Sequence, residues 1–252
     1  MNTFVNINSI DLNCDMGEGM DNDTFIMPFI SSTNIACGFH AGDEEIMRKT
    51  AMLALQNHVS IGAHPSFADK ENFGRTEMTT VPAEVYALVA QQVYCMKKIC
   101  DELGTSLHHV KPHGALYNMA ARDPALANAI ARAVFDINSN LIVYGLSGSF
   151  LIDESNKIGL KTASEVFADR TYRDDGSLTP RSQPNALIED ENMSIRQVLQ
   201  MIIEKTVRSL SGKIIPIVAD TVCIHGDGKH ALVFVKKIFQ TLKEKNIAVK
   251  TI

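Results

Sequence analysis

Residues 33–43, TNIACGFHAGD, contain the pattern on which the rest of the chain is built. They begin as a short apolar strand, which runs into two glycines and His40. A helix is predicted to start at Asp43, because two glutamates follow in its first turn, where the helix dipole favours acidic side chains. The order of buried strand, polar residue and helix is typical of one unit of a parallel α/β fold.

The same order recurs along the chain. Apolar runs predict further strands over residues 9–14, 59–63, 107–110, 141–144, 161–164 and 221–224, with a terminal strand or tail over 247–249. Helical periodicity and start signals predict helices from Pro82, Asp123, Met193 and His230, the third of them continuing to Arg208. Residues 167–192 show no periodicity, and a loop of that length is usually functional, so we interpret it as a lid.

Length and composition favour a single α/β barrel domain spanning residues 1–252. A net charge of −5 argues against binding to nucleic acid or to an anionic membrane, since both need a basic surface. The sequence has no run of 18 apolar residues and no signal peptide. Five cysteines without a CxxC motif fit reduced thiols, so we expect a cytoplasmic protein.

Chemically capable side chains follow most of the predicted strands. Because the carboxyl ends of parallel barrel strands open on one face, we expect these side chains to share a site. Three other histidines, His58, His108 and His109, are interpreted as spacers. The residues at the strand ends are Asp15, His40, His64, Lys111, His113, Glu165, His225 and Asp227.

Two chemistries suit such a face, and the spacing leaves both open. Asp15, His40 and His64 could hold a divalent metal and an activated water, although no HExxH motif is present. Alternatively, Lys111 and nearby arginines could stabilise negative charge while a carboxylate or an imidazole moves protons. Gly226, Asp227 and Gly228 precede the last helix and predict either a phosphate cradle or a tight turn. The sequence has no Walker A motif.

Eight segments, taken in order, resemble the LamB/YcsF family, which supplies one of the three components of prokaryotic ATP-dependent 5-oxoprolinase, component A. The resemblance covers residues 9–250. The segments are DLNCDMGEG (11–19), NIACGFHAGD (34–43), GAHPS (62–66), NFGR (72–75), HVKPHGALY (109–117), EVFADR (165–170), LTPRS (178–182) and VCIHGDG (222–228).

The resemblance implies a TIM-like (β/α)7 barrel, similar to the fold of glycoside hydrolases and deacetylases. It also implies opening of the lactam of 5-oxo-L-proline to L-glutamate, coupled to hydrolysis of ATP to ADP and phosphate. The family's protein works with two further subunits, B and C, and Mg²⁺ is expected with ATP. No protein ligand for Mg²⁺ is assigned.

The residues that match the family's segments suggest roles in this reaction. For the proton-transfer and catalytic side we nominate Asp15, Glu18, His40, His64, Lys111, His113 and Glu165. For substrate and phosphate binding we nominate Arg75, Tyr117, Arg170, Arg181, His225, Gly226, Asp227 and Gly228.

Two alternative functions are compatible with the same barrel. The first is a metal-dependent hydrolase or deacetylase that uses Asp15, His40 and His64. The second is a non-catalytic component that delivers substrate to its partners. Bound Zn²⁺ would favour the first, and tight binding without effects of strand-end mutations on turnover would favour the second.

Overall fold

The computed structural model describes residues 8–225 and 231–252, which contain ten strands. These are β1 (Ser9–Met16), β2 (Ser32–Ala36), β3 (Ser60–His64), β4 (His109–Val110), β5 (Ile142–Leu146), β6 (Lys161–Phe167), β7 (Thr206–Arg208), β8 (Ile214–Pro216), β9 (Thr221–Cys223) and β10 (Ala248–Val249). Strands β1 to β6 pair in chain order and all in parallel. Strand β9 pairs with both β6 and β1, which closes a ring of seven strands. The predicted seven-stranded barrel is confirmed.

Eight α-helices in the described residues follow these strands. Each predicted helix start falls within two residues of the observed start, and Asp43 caps its helix by accepting a 2.9 Å hydrogen bond from the Ile46 N–H. The helices are α1 (Asp23–Ile26), α2 (Glu44–Gln56), α3 (Pro82–Glu102), α4 (Gly114–Arg122), α5 (Pro124–Ile137), α6 (Phe150–Lys157), α7 (Glu191–Leu199) and α8 (Ala231–Glu244). None of these helices combines the length and the apolar character that crossing a membrane requires.

Both faces of the barrel strands are buried, and β1 shows how they differ. Leu12, Cys14 and Met16 belong to the hydrophobic core. The alternate residues carry polar side chains that make hydrogen bonds across the ring: Asp11 accepts from the hydroxyls of Tyr144 in β5 (3.1 Å) and Thr221 in β9 (2.6 Å). The ring is therefore filled by hydrogen-bonded polar groups as well as by apolar ones.

His109 occupies the middle of this interior and is fully buried. Its ring stacks on Tyr144 at 4.1 Å between centroids, and its Nε2 lies 2.8 Å from Asn34 Oδ1. A Cβ atom on Gly62 in the neighbouring strand would lie 2.1 Å from the same Nε2, so only glycine fits there. The interpretation of His109 as a spacer is wrong, because its side chain fills the space that the glycine leaves.

The predicted helix over 193–208 is too long. Helix α7 passes into a π-helical turn over Gln200–Glu204, and Lys205 then adopts a left-handed conformation with φ 54°. After this turn β7 and β8 form an antiparallel hairpin, with Ser211 and Gly212 in its connection. The apolar periodicity continues through the turn, so the sequence pattern did not mark the end of the helix.

Helix α4, directly after β4, was not predicted. It begins at Gly114, whose φ is +56° and whose Cβ position lies 2.5 Å from the carbonyl oxygen of Gly74. Between β6 and α7 the chain contains only isolated bridges, as the missing periodicity predicts. That this segment moves as a lid stays a prediction. The predicted terminal strand is confirmed as β10, which pairs with the first residues of β1.

Candidate active site

The carboxyl ends of the barrel strands open into a cavity of about 680 Å³, a volume suited to a small molecule. Two predicted residues, His40 and Glu165, are buried behind its wall. The predicted phosphate cradle at Gly226, Asp227 and Gly228 lies outside the described residues. The structure brings the remaining predicted residues to the cavity wall: Asp15, Glu18, His64, Arg75, Lys111, His113, Tyr117, Arg170, Arg181 and His225.

Lys111 lies at the floor of the cavity between two carboxylates and is 3% exposed. Its Nζ donates to Asp15 Oδ1 at 2.8 Å and forms an ion pair with Glu165 Oε1 at the same distance. Further acceptors are the Cys223 sulfur at 3.1 Å and Asn13 Oδ1 at 3.3 Å. The ammonium group is therefore held by two carboxylates and also makes two longer contacts.

The charges at the floor stabilise each other. Burial alone would raise the pKa of Asp15, but His64 and Lys111 outweigh it and hold that pKa well below its usual 3.8. Burial alone would lower the pKa of Lys111, but Asp15 and Glu165 keep it well above its usual 10.5. Both groups are therefore ionised near neutral pH.

Glu165 positions its neighbours and does not reach the cavity. Besides Lys111, it accepts hydrogen bonds from the Tyr117 hydroxyl (2.7 Å) and from Asn13 Nδ2 (3.0 Å). Burial and the Glu165 charge raise the pKa of Tyr117 well above its usual 10. Tyr117 therefore contributes a protonated phenol whose hydroxyl is already used by Glu165.

A second cluster lies beside Asp15 and contains Glu18, His40, His64 and His113. Each imidazole uses one nitrogen for a partner outside the cluster: His40 Nδ1 lies 2.8 Å from Ser66 Oγ, His64 Nδ1 lies 2.7 Å from the Lys111 carbonyl oxygen, and His113 Nε2 lies 2.9 Å from the Phe73 carbonyl oxygen. The three other ring nitrogens face Glu18.

The surroundings keep two of these imidazoles neutral. Burial, reinforced by His64, lowers the pKa of His40 to about 3. Burial, His64 and His40 hold the pKa of His113 well below its usual 6.5. Neutral imidazoles keep one lone pair each, so this cluster is rich in electron-pair donors.

Arginines lie around the cavity rim and give it a positive field. The Arg75 guanidinium lies 4.9 Å from the centroid of the Phe73 ring. Arg170 is buried and donates to the carbonyl oxygens of Thr179 (2.6 Å) and Ala186 (3.4 Å), so it shapes the long loop. Burial and Arg181 lower the pKa of Arg170 to about 10.

His225 lies on the other side of Asp15 from His64, and one potential ligand atom each from Asp15, Cys223 and His225 lie within 4.8 Å of one another. The His225 Nδ1 lies 2.9 Å from both carboxylate oxygens of Asp169, and its ring stacks on Phe167 at 5.6 Å between centroids. The Asp169 carboxylate orients this imidazole towards the cavity, where it could contact a bound ligand.

Four supporting residues were not singled out from the sequence. Asn13 and Asn34 orient Asp15 and Glu165, Ser66 orients His40, and Cys223 contacts Lys111. A signal for Asn13 is present in residues 11–16, DLNCDM, which alternate polar and apolar side chains. In a barrel strand this alternation places every polar side chain on the inner face, together with Asp15.

Known proteins share the sequence pattern and the fold of this chain. The model of the LamB/YcsF family matches residues 10–252. A protein from Tolumonas auensis, named as the A component of 5-oxoprolinase, is 53% identical over 246 residues, which are 96% of this chain and 98% of that protein. The crystal structure of a lactam utilization protein from Thermus thermophilus is 38% identical with a TM-score of 0.91, covering 97% of this chain and 100% of that one.

The fold is also shared with a more distant protein. The catalytic domain of a peptidoglycan N-acetylglucosamine deacetylase from Eubacterium rectale is 11% identical with a TM-score of 0.53, covering 100% of this chain and 92% of that one. This likeness shows the fold alone and confirms the predicted deacetylase-like barrel. Since the family model matches nearly the whole chain, the protein belongs to the LamB/YcsF family.

Proposed function

We propose that this protein is the A component of an ATP-dependent 5-oxoprolinase. It opens the lactam of 5-oxo-L-proline to L-glutamate while ATP is hydrolysed to ADP and phosphate, in a complex with subunits B and C. The names of its relatives support this reaction. The observation that carries the proposal is the buried Lys111 between two carboxylates, at the floor of a cavity rimmed by arginines.

ATP has a chemical purpose in this reaction. The lactam carbonyl carbon is a poor electrophile, because amide resonance donates electrons into it. Transfer of the γ-phosphoryl group of ATP, with its Mg²⁺, to the lactam oxygen gives ADP and makes the ring carbon attackable. Addition of water to that carbon, cleavage of the ring C–N bond and hydrolytic release of phosphate then give glutamate. Two water molecules are consumed in total.

The described residues can take distinct roles in these steps. The Lys111 ammonium can exchange its weak sulfur contact for the substrate oxygen that gains negative charge. Asp15 is ionised, lines the cavity and can accept a hydrogen bond from the attacking water. Arg75 and Arg181 at the rim can bind the substrate carboxylate and phosphate oxygens.

Phosphate release that depends on 5-oxoproline tests the proposal. We expect release by the wild-type chain mixed with subunits B and C, and a loss of at least about 100-fold for Lys111→Met in the same mixture. Lys97→Met is the matched control, because the Lys97 ammonium pairs with Asp101 one turn along the outer side of α3. We expect normal turnover for the control.

Folding of the Lys111 variant must be checked separately. Removing one partner of a buried ion pair costs about 3–5 kcal/mol, since it leaves buried carboxylates without their counter-charge. The double variant Lys111→Met, Glu165→Gln removes one of those charges and should recover part of the stability. Normal turnover by a folded Lys111 variant would exclude Lys111 from the reaction, and no release in any mixture would contradict the proposed function.

A metal-dependent hydrolase or deacetylase is the second candidate function, and the histidine cluster is the observation that favours it. Glu18 lies with His40, His64 and His113 in this cluster. Asp15 lies 3.3 Å from His64 Nε2 through Oδ2, but its Oδ1 is bound by Lys111 and Asn34. Amide hydrolysis that proceeds without ATP and is lost with a chelator would support this candidate over the oxoprolinase.

A further inference from the structure

We propose that Glu18, His40, His64 and His113 form a binding site for one divalent transition-metal ion of the zinc class. The ligand atoms are Glu18 Oε1, His40 Nε2, His64 Nε2 and His113 Nδ1, and all four lie within 4.8 Å of one another. Metal binding at this site goes beyond the lactam-opening reaction and does not depend on it.

The hydrogen bonds of His64 and His113 fix which nitrogens carry protons. A backbone carbonyl can only accept, so His64 Nδ1 must donate to Lys111 and His113 Nε2 must donate to Phe73. When neither ring carries a second proton, the remaining nitrogens, His64 Nε2 and His113 Nδ1, carry lone pairs. These two lone pairs face each other at 2.9 Å, which is repulsive unless a positive charge lies between them.

The same reasoning applies to His40. The Ser66 hydroxyl donates to the carbonyl oxygen of Phe67 at 3.0 Å, so its oxygen accepts from His40 Nδ1. His40 Nε2 is then a lone-pair nitrogen, and it faces Glu18 Oε1 at 3.0 Å. A carboxylate oxygen also lacks a proton, so this contact is a second pair of facing acceptors.

One cation can lie between the atoms of both pairs, His64 with His113 and His40 with Glu18. Protons could do the same only if one proton were added to each pair. A proton between His64 and His113 still leaves the lone pair of His40 Nε2 facing an oxygen of Glu18. Charging both His40 and His113 would place two positive rings in a stack with 3.8 Å between their centroids. A single divalent ion compensates all four electron-pair donors at once.

The distances suit a small ion. Four atoms that each lie about 2.1 Å from a zinc ion are about 3.4 Å apart in a regular tetrahedron. The contacts of Glu18 Oε1 with His113 Nδ1 and His64 Nε2 are 3.5 and 3.9 Å, and the two acceptor pairs are slightly closer than the ideal edge. The rings of His40 and His113 are stacked and nearly parallel, so both must tilt towards the ion to direct their lone pairs at it.

The donor set also selects the metal. Three imidazoles with one carboxylate suit zinc, cobalt or nickel, whereas Mg²⁺ prefers oxygen ligands. The outward nitrogens of the three rings are held by Ser66 and by two backbone carbonyls, as is usual for metal-binding histidines. The site is therefore distinct from any Mg²⁺ that accompanies ATP.

Metal binding by the isolated full-length chain tests the proposal. The chain is treated with a chelator, dialysed, and titrated with Zn²⁺ or Co²⁺ in the absence of 5-oxoproline, ATP and partner subunits. We expect one equivalent to bind, and bound Co²⁺ to show the strong visible absorption of a four-coordinate ion. Metal binding can be absent while the oxoprolinase reaction proceeds, and metal can bind while the reaction is absent. The two proposals are therefore tested separately.

Two variants remove a ligand atom and keep the hydrogen bond to the backbone. The amide of asparagine in His64→Asn can replace Nδ1 as the donor to Lys111, and the amide of glutamine in His113→Gln can replace Nε2 as the donor to Phe73. Each should weaken Zn²⁺ binding by at least about tenfold, as expected for the loss of one ligand. The matched control is His58→Asn, since His58 is exposed and has a φ of 58°, which asparagine tolerates.

Three results would overturn the proposal. They are less than half an equivalent of metal on folded wild-type protein, the weak absorption of six-coordinate Co²⁺, and equal weakening in the His58 control. The first would mean that the cluster holds shared protons. If a ligand variant does not fold, the stoichiometry and the Co²⁺ spectrum of the wild-type protein decide the question.

Discussion

Burial of charge is the strongest constraint on single residues in this protein. An isolated ammonium at the position of Lys111 would lose its proton, because the surrounding medium is too weakly polar to stabilise it. Asp15 and Glu165 prevent this, and Lys111 in turn helps to keep the buried Asp15 ionised. The active-site chemistry of each of these residues therefore depends on the other two.

The pair of Asp169 with His225 gives a testable pH dependence. Burial alone would raise the pKa of Asp169, but His225 and Arg181 outweigh it and lower that pKa below its usual 3.8. A lowered pKa means that the ionised acid stabilises the fold above the unfolded value, and that this contribution is lost as the pH falls through the folded value.

We therefore expect Asp169→Asn to lower the free energy of unfolding most near pH 5 to 6, and progressively less towards pH 3. Denaturant unfolding of variant and wild type at several pH values measures the difference. Asp21→Asn is the control, because Asp21 is exposed, and its small effect should not change with pH in this way. A constant difference for Asp169→Asn from pH 6 to pH 3 would contradict the assignment.

Sequence reasoning found ten of the residues that line the cavity, because a side chain at the end of a parallel strand must face the carboxyl side of the barrel. It could not find how they pair. Glu18 and His113 are separated by 95 positions, and nothing in local periodicity shows that they approach within 3.5 Å. The ligand set with Asp15 stays a prediction, and strand position alone does not distinguish Asp15 from Glu18 as a ligand.

Among the elements, β3 and β4 are held in register because a glycine in one strand lies opposite a large side chain in the other. Gly62 in β3 leaves the space that the His109 ring in β4 occupies. Both residues lie on the inner face of the ring, where overpacking is difficult to relieve because neighbouring strands fix the backbone.

Gly62→Ala should therefore lower the free energy of unfolding by at least about 3 kcal/mol, measured by denaturant titration. Gly145→Ala is the control: its added Cβ meets side-chain carbons of Leu151 and Ile152 at 3.2 Å or more, and about 1 kcal/mol is expected. In a His109→Ala background the Gly62 substitution should cost much less. An equal cost in both backgrounds would show that His109 is not the obstacle.

Element boundaries were predictable where a capping residue or a proline marks them, as at Asp43 and Pro82. They were not predictable where long-range pairing decides. Residues 206–208 leave the helical path because they pair with 214–216 as a hairpin. Helix α4 was missed because its start depends on the close approach of Gly114 to Gly74, which are 40 positions apart.

For the whole molecule, closure of the seven-stranded ring brings the site residues of the first and last strands next to each other. Strand β9 contacts both β6 and β1, so the residues after the last ring strand face those of the first. Strand β10 is outside this ring and pairs with Ser9 and Ile10, several residues before the active-site end of β1. Stability and site geometry should therefore be separable.

Deleting residues 248–252 tests this separation. The deletion removes the backbone hydrogen bonds from Ala248 to Asn8 and from Lys250 to Ile10, each worth about 1 kcal/mol, together with the contacts of Thr251 with Ser32 and of Ile252 with His108. We expect the free energy of unfolding to fall by at least about 2 kcal/mol, while turnover in the complete mixture stays normal per folded molecule. Lost turnover in a chain that still folds would show that β10 supports the site.

The pairing of β10 with the first residues of β1 has a consequence for how this barrel could be rewired. The two ends of the described fold lie side by side at one rim, since Ser9 is in register with Ala248. A short linker could join them, and a new start could be opened at the exposed turn near Ser139 and Asn140, before β5. Such a circularly permuted chain would keep every strand pairing and every active-site side chain. The closed ring determines which strands are neighbours, and these pairings do not depend on where the polypeptide begins.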